Sequence, residues 1–454
     1  MGVGTAALAQ QGGSMPEMNM GAPMAAAGGN ADTQKTGAMG TMTMGPDTKM
    51  PAMQPQSFLE AIEQHGGSGT SAQPVSTPLP MMMEMHGGWM LMLHGEAFIL
   101  DEQQTGPRGA DKLFSTNWAM PMAQRQMGRG KLTLRGMFSL EPGTITGREY
   151  PLLFQQGETA FGRPIVDGQH PHNLFMELAA GYDLRLGERT LLSFYGGPVG
   201  DPALGPAAYP HRQSASEDPV AALGHHQEDS THIAADVVTA GLTSGWARIE
   251  ASGFHGREPD ESRWTINQGA LDSWATRLTL SPGKNWSGQY SYGRLKSPEQ
   301  LFPTEDQART TASLMYNRPL RKGNWSTTAL WGRTRGIPDN GKENSYLFES
   351  TLRFAERNYV WTRLEDAGRS NELLYAGEPL PAGFVEAPLT HVQAYTFGFD
   401  RDIQTLERVL PNAAVALGAQ ATTYGAGEPL KADYGDHPFG VVAFLRIRIK
   451  GREH

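Results

Sequence analysis

The feature that most constrains this chain is a series of short segments, over residues 88–450, in which apolar and polar residues alternate. Alternation with a period of two is typical of β-strands that have one apolar and one polar face. In the stretch KLTLRGMFSL, Leu132 and Leu134 share one face, and Thr133 and Arg135 share the other. We count about 16 such segments, with 14 or 18 as the alternatives. The sequence therefore predicts an all-β fold.

The connections between these segments are of two kinds, short turns and long loops. The short turns fall at 281–286, 319–325 and 354–359, and the long loops at 141–172, 196–231, 256–272, 296–308 and 366–390. An up-and-down antiparallel barrel has this arrangement, because its turns and its loops lie at opposite rims. We therefore predict a single up-and-down transmembrane β-barrel of about 16 strands.

Alternation alone does not decide which face meets lipid, because a soluble sheet also buries one face and exposes the other. A soluble β-sandwich array or a β-propeller is therefore the alternative. Aromatic residues near segment ends favour the membrane barrel, since such residues form girdles at the membrane interfaces. They are Trp274, Trp286, Tyr290, Trp325, Trp331, Tyr359 and Trp361. We also expect Tyr395, Phe397 and Phe399, which share one face, to point outward.

The first 85 residues differ in composition from the rest. Residues 1–9 end in Ala-Leu-Ala, a pattern typical of a signal-peptide cleavage site, and we interpret them as a signal-peptide remnant. Residues 10–85 are rich in small and polar residues and Met, with few aromatic or β-branched ones. Such a segment buries too little surface to offset its ordering entropy, so we predict a disordered Met-rich tail, with a helical turn or two at 57–65. The barrel domain is then expected over 86–450, in a bacterial outer membrane.

Composition excludes several classes of function. The net charge is −9 and no basic run stands out, so a nucleic-acid partner is not expected. The absence of Cys rules out disulfides, thiolate metal sites and Cys nucleophiles. No nucleophile-elbow, phosphate-binding or dinucleotide motif occurs in a suitable setting, so we predict that the protein is not an enzyme. A loop-borne enzymatic or surface-binding activity within 196–232 is the alternative, since Ser, His and Asp are plentiful there.

Methionine is concentrated at the start of the chain, where 16 of the 22 residues fall within the first 92 positions. Thioethers are soft, neutral ligands that suit Cu(I). In the segment WMLMLHGEAF, Met90, Met92 and His94 share the polar face, and the next segment places Met120 and Met122 on one face. If the two strands are adjacent, these five side chains line one patch of the lumen. The alternative is that the methionines pack against an internal plug.

Histidine is concentrated in the middle of the chain, where six of the 13 residues lie within 170–232. The candidate metal ligands of this region are His170, His172, His225, His226, Glu228, Asp229 and His232. Neutral imidazole together with carboxylate suits Zn(II), Cu(II), Ni(II) or Fe(II). The alternative is a hydrogen-bonded network of loops, or a plug, that shapes the pore.

The alternating region resembles a bacterial outer-membrane, porin-like barrel. A Met-rich leader followed by a barrel is similar in layout to the outer-membrane copper-resistance protein B family, and that resemblance implies copper as the bound ion. We therefore predict a barrel for passage or sequestration of a small solute, with copper or another soft metal ion as the favoured candidate. The expected partners are outer-membrane lipid, the solute or ion, and periplasmic metal-handling proteins. A general or organic-solute porin without a metal role is the alternative.

Overall fold

The computed structural model describes residues 54–229, 234–337, 341–407 and 409–451. Its strands within these ranges are β1 (Met82–His86), β2 (Trp89–Gln104), β3 (Asp111–Met127), β4 (Gly130–Phe138), β5 (Tyr150–Pro151), β6 (Glu158–Ala160), β7 (Arg163–Ile165), β8 (Gly168–Gln169), β9 (Phe175–Gly187), β10 (Thr190–Gly200), β11 (Ala234–Ser244), β12 (Ala247–His255), β13 (Ser273–Gly283), β14 (Trp286–Leu295), β15 (Asp306–Leu320), β16 (Gly323–Ile337), β17 (Lys342–Phe354), β18 (Asn358–Ser370), β19 (Pro388–Asp402), β20 (Ala413–Gly425) and β21 (Phe439–Ile449). The helices are α1 (Phe58–Gln64), α2 (Glu141–Thr144), α3 (His225–Glu228), α4 (Gln404–Glu407) and α5 (Lys431–Tyr434), and 3-10 turns cover Tyr209–His211, Asn371–Tyr375 and Glu428–Leu430. Among the described residues, no helix is long and apolar enough to cross a membrane.

Sixteen of the strands form one closed antiparallel barrel. They are β2 to β4 and β9 to β21, and each pairs with the next one along the chain. The ring closes where β2 pairs with β21, from Glu96 opposite Arg448 to Gln104 opposite Gly440. Strand β1 pairs with the first residues of β2, while β5 to β8 form two small hairpins inside the long β4–β9 connection. The predicted single up-and-down barrel of about 16 strands is confirmed.

The outer face of the barrel is apolar and the inner face is polar. Tyr395, Phe397 and Phe399 are 49%, 61% and 43% exposed, so they point outward as predicted. Arg446 and Arg448 on β21 point inward and are buried. The girdle residues Trp274, Trp286, Tyr290 and Trp325 are also exposed. A closed ring that pairs its backbone internally and carries an apolar outer band is the form in which strands cross a bacterial outer membrane. The alternatives of a soluble sandwich or propeller are wrong.

Two of the predicted girdle residues point the other way. Tyr359 and Trp361 on β18 are only 6% and 3% exposed. They share their face of the strand with Arg363 and Glu365, which are buried in the lumen. Since successive side chains alternate between faces, these charged residues determine which face is inward. The Arg446 guanidinium lies 4.7 Å from the Tyr359 ring, a cation–π contact inside the barrel.

The two rims of the barrel differ, as the sequence predicts. One rim carries the turns at 128–129, 188–189, 245–246, 284–285, 321–322 and 355–357 and the described part of the longer β19–β20 connection. The other rim carries the loops at 105–110, 139–174, 256–272, 296–305, 371–387 and 426–438 and the described parts of the β10–β11 and β16–β17 connections. In outer-membrane barrels the short turns face the periplasm, so we call the first rim periplasmic and the second external.

Residues 54–85 are ordered, so the prediction of disorder is wrong for this part of the tail. Helix α1 begins after Ser57, whose hydroxyl accepts the Glu60 backbone N–H. Its apolar residues Phe58 and Ile62, one helical turn apart, are buried against Leu191 of the barrel wall. The prediction rested on average composition, which does not register a few apolar side chains at helical spacing that a barrel interior can cover. The signal-peptide remnant and the tail up to residue 53 lie outside the described residues.

The β10–β11 loop does not project from the barrel. Of its residues 201–229, which we call the inner loop, 25 of 29 are buried. Most loops run over protein surfaces, because their backbone polar groups need water or other partners. The inner loop contacts wall residues on β3, β13, β16, β17, β18 and β21, so it occupies the lumen.

Candidate functional site: the occluded lumen

Buried ion pairs hold the inner loop to the barrel wall. Arg212 Nε lies 2.5 Å from Glu349 Oε1 on β17. On β18, Arg363 Nη1 lies 2.9 Å from Asp218 Oδ2. A buried guanidinium needs several acceptors, and the loop and the wall supply them to each other. These pairs satisfy polar groups that water would otherwise have to solvate.

A third set of ion pairs lies at the seam that closes the ring. Glu217 of the inner loop lies 2.5 Å from Arg446 Nη1 and 2.9 Å from Arg448 Nη1, both on β21. Arg448 Nη2 also lies 2.6 Å from Glu96 Oε1 on β2. Burial alone raises the pKa of the Glu217 carboxyl, but the two guanidiniums outweigh it and hold that pKa at about 2. The carboxylate is therefore ionised at neutral pH and bridges the loop to the seam.

Residues 54–80, which we call the N-terminal segment, lie in the periplasmic part of the lumen. Arg135 on β4 donates from Nη1 to the backbone carbonyls of His65 and Gly67, at 3.1 and 2.8 Å. Its Nη2 lies 2.6 Å from Glu177 Oε1. His65 Nε2 lies 2.6 Å from Asp183 Oδ2 on β9. The segment is thus bound to the wall through both its backbone and its side chains.

Six buried methionines form a cluster in the lumen, which we call the methionine cluster. They are Met81, Met92, Met120, Met122, Met137 and Met176, and Met90 packs against them. Strands β2 and β3 are adjacent, as the prediction requires, with Met92 opposite Met122 and His94 opposite Met120. The structure therefore brings together all five predicted residues of the stripe. Methionine also fills irregular cores, so their proximity is compatible with packing as well as with ligation.

Two imidazoles and an indole adjoin this cluster. His211 of the inner loop places Nε2 3.2 Å from Met137 Sδ. The ring centroids of His94 and His211 are 5.5 Å apart, and that of Trp118 is 4.6 Å from His211. Thioether sulfur and imidazole nitrogen are both donors that bind copper. The inner loop thus brings to the methionines the type of nitrogen ligand that they lack.

A second cluster joins the β4–β9 loop to the inner loop. His170 Nε2 and His226 Nε2 lie 2.9 and 3.2 Å from the same carboxylate oxygen, Oε1 of Glu158. The two imidazole rings are nearly parallel, with 4° between their planes. Arg263 Nη2 lies 3.7 Å from the other carboxylate oxygen of Glu158. Burial and the Arg263 charge lower the pKa of His170 to about 4, so this ring is neutral at physiological pH.

The other predicted ligands of the His-rich region are engaged elsewhere. His172 Nδ1 lies 2.9 Å from Glu141 Oε2, and His225 Nδ1 contacts Asp229. Glu228 accepts a hydrogen bond of 2.6 Å from the Ser345 hydroxyl on β17. His232 lies outside the described residues. Of the seven residues predicted here, the structure brings His170 and His226 to one carboxylate.

The periplasmic mouth holds a cavity of about 560 Å³. Its charged lining is mainly basic, with Arg321, Lys322, Arg353, Arg357, Arg448 and Lys450 against Glu356 and Asp402. Residues 54, 76, 78 and 80 of the N-terminal segment line it as well. Its lining combines turn residues of the periplasmic rim, the N-terminal segment and Gln213 of the inner loop.

Sequence reasoning missed several members of both clusters. Met137 lies two positions after Arg135 on β4, so strand parity was sufficient to place it inward. Met176 and its neighbour Glu177 are both buried, because a register shift between β4 and β9 interrupts strict alternation beside them. Glu158 lies in a long loop without periodicity, and no sequence signal indicates its partners.

The described fold, a closed antiparallel barrel of 16 strands, is similar to that of solved outer-membrane porins. No family model matches the chain, and no curated protein matches it either. Among solved structures, OprB of Pseudomonas putida at high pH matches with a TM-score of 0.50 and 7% identity, over 80% of this chain and 94% of that one. An anion-selective porin from Comamonas acidovorans matches with a TM-score of 0.49 and 10% identity, over 80% of this chain and 100% of that one. OmpF of Salmonella typhi with daunomycin matches with a TM-score of 0.46 and 9% identity, over 80% of this chain and 98% of that one.

Identities this low support a common barrel fold and nothing finer. The resemblance to the copper-resistance protein B family gains no support from these comparisons.

Proposed function

We propose that this protein is an outer-membrane barrel that passes or holds a small solute, and that the inner loop and the N-terminal segment close its lumen. The ion pairs of Arg212, Arg363 and Glu217 support this closure, because each joins the loop to the wall or the seam. Passage then requires displacement of the loop, the segment or both. Lipid surrounds the apolar outer band, and periplasmic metal-handling proteins stay a prediction.

The favoured solute is a soft metal ion, with copper as the first candidate. The observation that carries this choice is the methionine cluster, together with the 3.2 Å contact between His211 Nε2 and Met137 Sδ. Several thioethers and an imidazole in a closed space are suited to Cu(I). The methionines up to residue 53, which lie outside the described residues, would supply further thioethers before the barrel.

Cu(I) titration of the full chain against a chromogenic chelator tests this choice. Replacing Met92, Met120 and Met122 with Leu keeps volume and apolarity, so the barrel should fold while losing thioether ligands. We expect the triple variant to bind at least one equivalent of Cu(I) less than the wild type. The matched control replaces Met127 and Met315, which lie outside the cluster, with Leu. It should bind as much Cu(I) as the wild type. Equal stoichiometry in the triple variant contradicts a copper role for the cluster.

A channel for small anions is the second candidate, and the basic cavity at the periplasmic mouth favours it. Six cationic side chains against two carboxylates line that cavity, so it attracts anions and repels cations. Reversal potentials across a bilayer with a KCl gradient distinguish the candidates. Chloride preference that falls when Arg321, Arg353 and Arg357 become Gln supports the anion channel, and unchanged selectivity contradicts it.

A further inference from the structure

Three side chains from two loops converge on one point at the external side of the lumen. His170 and Glu158 belong to the 139–174 loop, and His226 belongs to α3 of the inner loop. Their candidate donor atoms all lie within 4.8 Å of one another. Tetrahedral ligands about 2.0–2.1 Å from a zinc ion are separated from each other by about 3.3 Å. The observed contacts of 2.9 and 3.2 Å to the shared carboxylate oxygen are close to that spacing.

Each imidazole donates a hydrogen bond from the ring nitrogen that faces away from the carboxylate. His170 Nδ1 lies 2.8 Å from the Pro171 carbonyl, and His226 Nδ1 lies 2.7 Å from the Gln156 carbonyl. A carbonyl oxygen only accepts, so both Nδ1 atoms donate; the 3.4 Å contact from the Gln155 amide nitrogen is much longer. Nε2 of each ring therefore faces the Glu158 carboxylate, and in a neutral ring this nitrogen is the one that binds a metal ion.

The surroundings of these residues have further properties of a metal site. Imidazole ligands usually donate their second N–H to a carbonyl or carboxylate, which orients the ring, and both rings do so here. Gly157 has φ +97°, and a Cβ at this position would lie 3.1 Å from His226 Nδ1, so a larger residue would crowd the imidazole ring. A cavity of about 40 Å³, lined in part by Glu158, His170 and Arg263, leaves room for a water molecule as a further ligand.

We propose that Glu158, His170 and His226 bind one divalent cation of the borderline class, for which Zn²⁺ is the best match. Two imidazoles and a carboxylate suit Zn²⁺, whereas Mg²⁺ prefers oxygen ligands alone. Because the ligands come from both loops, the bound ion joins the 139–174 loop to the inner loop and stabilises the closed lumen. The site shares no residue with the methionine cluster, and it rests on the proposed function only for the role of the inner loop as the closure.

Calorimetric titration of the metal-free full chain in detergent with ZnCl₂ tests the site. We expect one equivalent of Zn²⁺ to bind, and MgCl₂ not to displace it. His170→Gln and His226→Gln should each weaken this Zn²⁺ binding at least 100-fold. The matched control is His437→Gln, an exposed histidine in the 426–438 loop, which should bind as the wild type does. Heat-dependent mobility in gels verifies that each variant is a folded barrel. Saturating Zn²⁺ should also raise the Tm of the wild type and the control but not of the two variants.

If no Zn²⁺ equivalent depends on His170 and His226, the cluster is a hydrogen-bonded network only and the proposal is wrong. Cu(I) stoichiometry, measured on the same variants, separates this result from the proposed function. Unchanged Cu(I) binding in variants that have lost Zn²⁺ binding supports both the zinc site and the proposed copper role of the methionine cluster. Unchanged Zn²⁺ binding in both variants contradicts the zinc site alone, whatever the methionine cluster binds.

Discussion

Buried arginines are the residues that most determine the state of this barrel. Arg212, Arg248, Arg277, Arg369 and Arg446 are among the largest fully buried side chains of the described chain. Arg212 illustrates their role, because its guanidinium also donates to Asp229, 2.8 Å away, within the inner loop. A guanidinium suits this role, since its five donors satisfy carboxylates and carbonyls at once. Removing one partner leaves an uncompensated charge out of water, which costs far more than the intact pair contributes.

Arg212→Met is therefore expected to destabilise the closed barrel. The substitution keeps much of the apolar stem but leaves Glu349 and Asp229 buried without their cation. We expect a loss of about 3–5 kcal/mol in the free energy of unfolding, measured by urea denaturation in detergent. Arg321→Met, at an exposed turn, is the control and should change the free energy of unfolding by less than about 0.5 kcal/mol. Equal effects of the two substitutions contradict the role of the buried pairs.

Acid should weaken the attachment of the inner loop at the seam. The folded-state pKa of Glu217, about 2, lies below its ordinary value of 4.5. A carboxyl whose pKa is lowered on folding contributes stability above its unfolded pKa and loses it as pH falls through the folded pKa. Arg446 and Arg448 face Glu217, and Glu96, Asp400 and Asp402 face the same guanidiniums.

Thermal unfolding measured from pH 7 down to pH 2 should therefore show stability decreasing below about pH 4.5. Glu217→Gln removes this titration, so its profile should be flatter although its stability at pH 7 is lower. The same slope in both proteins would show that other groups produce the acid sensitivity.

Strand parity predicts most lumen residues correctly, and its failures have local causes. Met92, His94 and Arg135 are inward as their alternation requires. Tyr359 and Trp361 were assigned by residue type, whereas the charged residues on their own face decide the orientation. Met176 lies beside a register shift, which no single sequence reveals. Pairings such as that of Glu158 with His226 depend on loop paths and have no signal in local sequence.

At the scale of elements, the inner loop is the part that separates this protein from an open pore. The sequence predicts a long connection at 196–231, but it does not predict that the connection folds inward. Its Ala, Pro and Gly residues are typical of an exposed loop, and the groups that draw it into the lumen lie on six distant strands. Contacts of such high sequence separation cannot be read from local composition.

Shortening the inner loop should open the barrel. Replacing residues 206–223 with a Gly-Ser linker removes Arg212, Glu217 and Asp218, and with them the ion pairs to the wall. We expect single-channel conductance in planar bilayers to rise by at least tenfold over the wild type. The same replacement of 378–384, an exposed stretch of the 371–387 loop, is the control and should leave conductance unchanged. Unchanged conductance in the inner-loop variant contradicts its role as the closure.

At the scale of the whole molecule, the barrel itself was the most predictable part. Sixteen strands, two unequal rims and the outward rows follow from one alternating pattern repeated along the chain. The pattern is informative because each strand must bury its polar row away from lipid. The alternating pattern does not predict whether the enclosed space holds water or protein, because polar side chains on the lumen wall can contact either one.

The apolar outer band predicts a depth-dependent cost for charge. Tyr395→Arg, near the middle of β19, should lower the free energy of unfolding in lipid vesicles by about 2–4 kcal/mol. His391→Arg, near the external end of the same strand and on the same outward row, should cost about 0–1 kcal/mol. Equal costs at both positions would mean that this strand does not face the bilayer.

The contact of Glu217 with β21 at the seam has a consequence for biogenesis. Strand β21 is the last strand of the ring along the chain, and its Arg448 contacts both Glu96 of β2 and Glu217 of the inner loop. A ring that closes before the loop has entered would leave Arg446 and Arg448 without the Glu217 carboxylate. We therefore expect the loop to enter before the seam closes, so that the barrel is built around its own filling.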